Sequence, residues 1–136
     1  MTAMQVGTDQ DAAISTQFAQ GDLDSFIQHF LKVWSEHDVD GIMALMTDDC
    51  EFEPSSRSWG VFFKGTAEVR TAVEGLFESA PDIQWRLIRY FVAANEVILE
   101  LVATGTKNGE PFEIPACDLL TLRSGKIASK RAYRKL

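Results

Sequence analysis

The sequence is short of the residue types that build most metal centres and nucleophilic triads. Its 136 residues include two histidines and two cysteines. Cys50 and Cys117 have no zinc-type spacing, so neither a zinc site nor a disulfide framework is expected, and both read as buried free thiols. His29 and His37 fall in one helical stretch, which leaves almost no imidazole for a His-rich metal centre or a Ser-His-Asp triad. Basic residues are also scarce. Thirteen Lys and Arg against 20 Asp and Glu give a net charge of −7, which repels phosphate backbones and anionic membranes. There is no apolar run of about 18 residues, and no charged segment leading into a short apolar one. The expectation is a soluble cytoplasmic protein with no metal, no cofactor, and no nucleic-acid or membrane partner.

What is present suits one globular domain: 46% hydrophobic and 24% charged residues over a length close to the single-domain norm. Residues 1–21 lack a sustained apolar period and read as a flexible extension, with a single domain over 22–136. From Asp22, a candidate N-cap, apolar residues recur at helical spacing: Leu23, Phe26, Ile27, Phe30, Val33 and Trp34. Asp38 caps a second, short helix carrying Ile42, Leu45 and Met46. The acidic Thr47-Asp48-Asp49 stretch ends that helix before a brief strand over 50–53, closed by Pro54. Residues 55–65 read as an aromatic-rich loop. A third helix starts at Thr66, buries Val69, Val73, Leu76 and Phe77, and stops at Pro81. Beyond it the apolar period changes to two, giving strands near 82–92, 96–106, 111–122 and 126–134. Helices followed by an antiparallel meander make an α+β domain.

Turn chemistry predicts the strand registers. Asn108-Gly109 suits a two-residue type I′ turn, which sets Leu99 opposite Asp118 and Leu101 opposite Ala116. Ser124 disfavours positive φ, so a three-residue loop over 123–125 is expected, placing Asp118 directly opposite Lys130. Alternation then puts Val97, Leu99, Leu101, Ala103, Ile114, Ala116, Asp118, Leu120, Ala128, Lys130 and Ala132 on one face. The other face carries Ile98, Val102, Leu119, Ile127 and Tyr133. It is apolar enough to predict a homodimer through it.

Asp118 is the leading candidate for chemistry, because an acid in mid-strand among apolar residues costs free energy unless it is paired or used. It reads either as a structural ion pair with Lys130 or as a pocket acid or base. Ala103, Ala116 and Ala132 leave space beside it for a ligand. Glu53 could supply a second carboxylate for proton transfer, or be an exposed strand end. Arg57 and Trp59 could gate a pocket mouth. Phe30 and Trp34 serve either as core or as a substrate platform, and Leu99, Leu101, Ala116, Lys130 and Ala132 complete the candidate lining. Lys130 across the strand pair is expected to outweigh burial and keep Asp118 ionised. Of the five cations in 126–135, some are expected to pair with residues 1–53, which hold eleven acids and one base.

The long helix with Trp34, the Asp38-Val39-Asp40 helix start and Met46-Thr47-Asp48-Asp49 before a strand carry a resemblance. So do Gly65 before a helix and Cys117-Asp118-Leu119-Leu120 followed by Gly125-Lys126-Ile127. In this order the motifs resemble the nuclear transport factor 2-like superfamily, especially its SnoaL-like branch, over about 24–134. The resemblance implies a cone of curved antiparallel sheet wrapped around three N-terminal helices, with an internal pocket and dimerisation through the outer face. It implies a small hydrophobic ligand, polyketide- or steroid-like. Asp118 is similar in position to the acid/base Asp of SnoaL-like cyclases and to an oxyanion-hole acid of ketosteroid isomerases. Glu53 lies within one residue of the isomerase base, whereas Phe30 stands where those isomerases have a Tyr donor. Limonene epoxide hydrolases need an Arg and two Asp at positions matching Leu101, Ala103 and Ala132, and scytalone dehydratases need strand histidines; both sets are absent. Proton transfer on a carbonyl compound, by isomerisation or aldol-type cyclisation, is the implied chemistry. A noncatalytic binding or interaction module is the alternative.

Overall fold

The computed structural model describes residues 12–56 and 60–135. Four helices and six strands follow in the order α1 (Ile14–Gln17), α2 (Asp22–Ser35), α3 (Val39–Ala44), β1 (Met46–Glu53), β2 (Phe63–Lys64), α4 (Gly65–Ser79), β3 (Gln84–Ala93), β4 (Glu96–Lys107), β5 (Glu110–Arg123) and β6 (Lys126–Arg134). The strands form one open sheet ordered β2-β1-β6-β5-β4-β3. All neighbours are antiparallel except β1 and β6, which run parallel. The sheet is therefore mixed, where a wholly antiparallel one was expected. The architecture is α+β, with the helices against one face of the sheet.

Local chemistry accounts for most boundaries. The apolar stripe of α2 buries Ile27, Phe30, Val33 and Trp34, and α4 buries Val69, Val73 and Phe77. The Asp38 side chain accepts from the Gly41 amide at 3.0 Å, the cap predicted for α3. Asp22 is not a cap. Gly21 takes that position at φ 88°, a left-handed conformation that glycine adopts without strain, and Asp22 starts the helix beside its positive end. His37 lies beyond α2, in the turn before α3. The Thr47-Asp48-Asp49 stretch belongs to β1, which is longer than the brief strand expected, and β2 lies within the stretch read as loop.

Part of the stretch read as a flexible extension is tied to the sheet. Ile14 is buried and its amide donates to Ala94 O. The Gln17 side chain donates to Leu122 O and accepts from the Gly125 amide. One buried side chain and a glutamine that bridges two sheet segments are too few apolar positions to show as a period. The call on residues 1–11 lies outside the described residues.

The Asn108-Gly109 turn has both central residues at positive φ, and it sets Leu99↔Asp118 and Leu101↔Ala116 as predicted. The second turn differs. Ser124 adopts φ 53°, so 124–125 is also a two-residue turn and Arg123 pairs with Lys126. A bulge follows: Leu122 pairs with Ile127 but Thr121 with Ser129, which leaves Ala128 as the extra residue. The two-residue turn faces Ile127 inward with Leu122, to full burial, where the expected three-residue loop had put it outside. The bulge then returns Lys130 to the same inner face, opposite Leu120, and sets Asp118 opposite Ala132. A further irregularity in β3 between Leu87 and Arg89 adds to the sheet's curvature.

Candidate functional site

The sealed part of the inner sheet face is built by Val97, Leu99, Leu101, Leu120, Leu122 and Ile127, packed against Phe30, Val33 and Trp34 of α2. Phe30, Leu99 and Leu101, all candidate ligand contacts, are core residues with at most 2% exposure. Ala116 and Ala132 are partly exposed, and Ile114 beside them likewise, so the inner face meets solvent at that end. Asp118 stands at the transition between the two regions, paired across the strand with Leu99 on one side and Ala132 on the other.

The Asp118 and Lys130 residues are 6% and 5% exposed, and their Oδ2 and Nζ lie 3.5 Å apart. The bulge makes them diagonal rather than directly opposed, and the length of the lysine side chain spans the offset. The ammonium also stands 4.4 Å from the Trp34 ring centroid and 4.8 Å from that of Phe52. Two aromatic faces and one carboxylate thus surround a buried cation, which stabilises the charge by ring quadrupole as well as by ion pairing. Phe52 was not a candidate from sequence. It reaches Lys130 through the parallel β1–β6 register Phe52↔Lys130, a long-range pairing with no turn to announce it.

Burial pushes the Asp118 carboxyl above its ordinary value of 3.8, and the Lys130 ammonium offsets only part of that rise. This reverses the expectation that the ammonium would prevail. At 3.5 Å the partner is close, but the acid has lost its water and, among the described residues, receives no other hydrogen bond to its charged form.

Glu53 is buried, 4% exposed, rather than an exposed strand end. Its carboxylate accepts from the Gly60 amide and lies 3.5 Å from Arg131 Nε. Consecutive residues of a strand face opposite ways, so Glu53 and Arg131 are on the other side of the sheet from Phe52 and Lys130. The structure therefore does not bring Glu53 to Asp118, and the two carboxylates expected to share proton transfer belong to separate ion pairs. Arg131 also stands over the Phe62 ring at 5.8 Å. This pairing of a C-terminal cation with the acidic first third agrees with the charge distribution. Arg57 and Trp59 lie outside the described residues.

Two surface grooves lie away from this cluster. One, of about 560 Å³, runs along Ile14, Phe18, Leu23 and Val92; the other, of about 490 Å³, lies at Glu113, Ile114, Pro115, Arg134 and Lys135. Of the two cysteines, Cys50 is buried and Cys117 only partly so, and neither is paired. Among the described residues no group of three His, Cys, Asp or Glu is placed to hold a metal ion, and no helix is long and apolar enough to cross a membrane.

Comparison with known proteins places this geometry. No curated protein matches the chain. Among solved structures, an epoxide hydrolase/cyclase-like enzyme, SalBIII, of pyran ring formation in the polyether salinomycin is 20% identical. Its TM-score is 0.74, over 87% of this chain and 94% of that one. A protein described as a SnoaL-like polyketide cyclase from Jannaschia sp. CCS1 is 18% identical with a TM-score of 0.72, over 96% and 91%. A protein of ketosteroid isomerase-like fold from Catenulispora acidiphila, in complex with trimethylamine, is 18% identical with a TM-score of 0.72, over 81% and 85%. At these identities the likeness is one of fold: an α+β cone of the nuclear transport factor 2-like kind. The family model for the SnoaL-like domain matches residues 27–130, a span from α2 to the lysine of the buried ion pair, and the chain belongs to that family.

Proposed function

We propose that the chain binds a small hydrophobic carbonyl compound, polyketide- or steroid-like, at the open end of the inner sheet face, and that Asp118 transfers a proton on it. The observation that carries this reading is a buried carboxyl, raised by burial, placed where Ala116 and Ala132 leave the face partly open. An acid with a raised pKa is a better base when ionised, and a larger fraction of it is protonated and available as a donor at a given pH. The Asp118 carboxylate would take the proton from the carbon next to the carbonyl, leaving an enolate. Returning that proton to another carbon is isomerisation; attack by the enolate carbon on a second carbonyl, whose oxygen then takes the proton from Asp118, is aldol-type cyclisation. Lys130 holds the carboxyl in place and balances its charge. The chain works as a homodimer in this reading. Ile88, Phe91 and Tyr133, exposed at 46%, 54% and 41%, are the large apolar groups that a second copy would cover.

Deuterium exchange tests the chemistry. β-Tetralone in heavy water should exchange its α protons faster with the protein than in buffer, and Asp118→Asn should return the rate to that of buffer. If the ketone binds but exchange is not accelerated, the protein is a noncatalytic binding module. Light scattering giving a monomer mass at micromolar concentration would refute the dimer.

A further inference from the structure

The sheet face that holds Asp118 ends in an arginine without a counter-ion. Ala132 pairs with Asp118 and Arg134 with Ala116, so alternation puts Arg134 on the inner face, next along β6 after Lys130 and Ala132. The cations before it on the last two strands are matched: Arg123 to Asp49, Lys130 to Asp118 and Arg131 to Glu53. Arg134 is exposed and, among the described residues, joins no ion pair, although the chain carries 20 acids to 13 bases. The space in front of it follows from unequal strand lengths. β6 ends at Arg134, with the Lys135 amide donating to Pro115 O, while β5 extends back to Glu110. Among the described residues that end of β5 has no neighbour on the β6 side, and the groove of about 490 Å³ lies there, lined by Glu113, Ile114, Pro115, Arg134 and Lys135. Ile114 shares the inner face with Ala116, so the groove continues the open end of that face, whereas Glu113 alternates to the opposite side. Two cations and one acid leave the groove positive on a chain of net charge −7.

We propose that this groove holds the anionic end of the bound molecule, a carboxylate seated on the Arg134 guanidinium, with the apolar body reaching along Ile114 and Ala116 to Asp118. The ligand class is then a keto acid rather than a neutral ketone. The inference rests on the reading that a small apolar carbonyl compound is bound at the open end of the inner face. A planar guanidinium meets a carboxylate with two parallel N–H donors, which fixes the direction of the ligand as well as adding affinity. Asp118 is two strand residues from Ala116, roughly 7 Å along β5. A carboxylate held at Arg134 therefore sets a carbon a few bonds away beside the acid. At the mouth the anion keeps part of its water, whereas the same group beside Asp118 would meet both full desolvation and a like charge.

The test uses 3-benzoylpropionate and its primary amide, which share one aryl ketone body and differ in the charge of one end. At neutral pH the wild-type protein should bind the acid about fivefold more tightly than the amide, as expected of a charge-assisted pair open to water. Arg134→Gln should bring the two to near parity, with the affinity for the amide unchanged. In the wild-type protein added salt should shrink the preference, a measurement that needs no variant to fold. Equal binding of acid and amide, a preference that salt leaves untouched, or one that survives Arg134→Gln overturns the inference and leaves the apolar binding reading standing. If neither compound binds, that reading falls, and the inference with it.

Discussion

Two acid–base pairs lie on opposite faces of the same strand edge, and both have N···O separations of 3.5 Å. Their surroundings differ. Glu53 shares its carboxylate between Arg131 and the Gly60 amide, and the arginine side chain is 35% exposed. Among the described residues Asp118 has Lys130 alone, and both side chains are below 10% exposure. Distance is therefore a poor guide to what an ion pair does. The number of donors to the carboxylate and the water left to the cation decide whether the pair is a structural tie or holds an acid displaced from its usual titration range.

The largest test of this contrast is to leave Lys130 without its partner. Asp118→Ala should cost about 3–5 kcal/mol in urea denaturation, as expected for an uncompensated buried charge. The double variant Asp118→Leu with Lys130→Met should recover most of that loss, since apolar replacement of a buried pair is often neutral or stabilising. Recovery would show that the pair is not retained for stability. A single-variant loss below about 1 kcal/mol would mean that the pair behaves like a surface one.

Dependence on pH sharpens the comparison. Because the folded Asp118 pKa lies above 3.8, the folded state binds this proton more tightly than the unfolded chain does. The resulting stabilisation is fully present below 3.8 and is lost as pH rises through the folded value. Wild-type stability relative to Asp118→Asn should accordingly fall as pH rises from 3.8. Lys130→Met should move the Asp118 midpoint higher still in a carboxyl-carbon NMR titration, because the opposing charge is gone. An unmoved midpoint would show that the ammonium does not act on this carboxyl.

The smallest effect is expected at the other pair. Glu53→Gln keeps an acceptor for the Gly60 amide and removes an ion pair with a partly solvated arginine, so the loss should be about 1 kcal/mol or less. Deuterium exchange into β-tetralone should be unchanged, since the side chain is on the far face. A collapse of exchange in this variant would break the separation of the two carboxylates.

Much of the fold was legible because it rests on local chemistry. The period of α2, the Asp38 cap and the Asn108-Gly109 turn each depend on a few adjacent residues, and the turn carried the Leu99↔Asp118 register with it. The second hairpin was misread for a reason that is also local. Ser124 accepts positive φ at a strain that the pairing of the flanking strands offsets, and no propensity rule weighs that balance. Ile127 faces inward because that two-residue turn pairs it with Leu122, and Lys130 shares its face only through the bulge at Ala128, which alternation cannot foresee.

The candidate site divides the same way. Sequence alone marked Asp118 as an acid out of place and Lys130 as its partner, because a charge in an apolar strand is anomalous wherever the strand lies. It could not place Phe52 over the ammonium or carry Glu53 to the opposite face. Both depend on β1 joining β6 in parallel across more than seventy residues of chain, and no local signal encodes that pairing. Nor could it set the direction of the Asp118 shift. The charge partner is written in the sequence, but the water that the acid loses is decided by everything that packs around it.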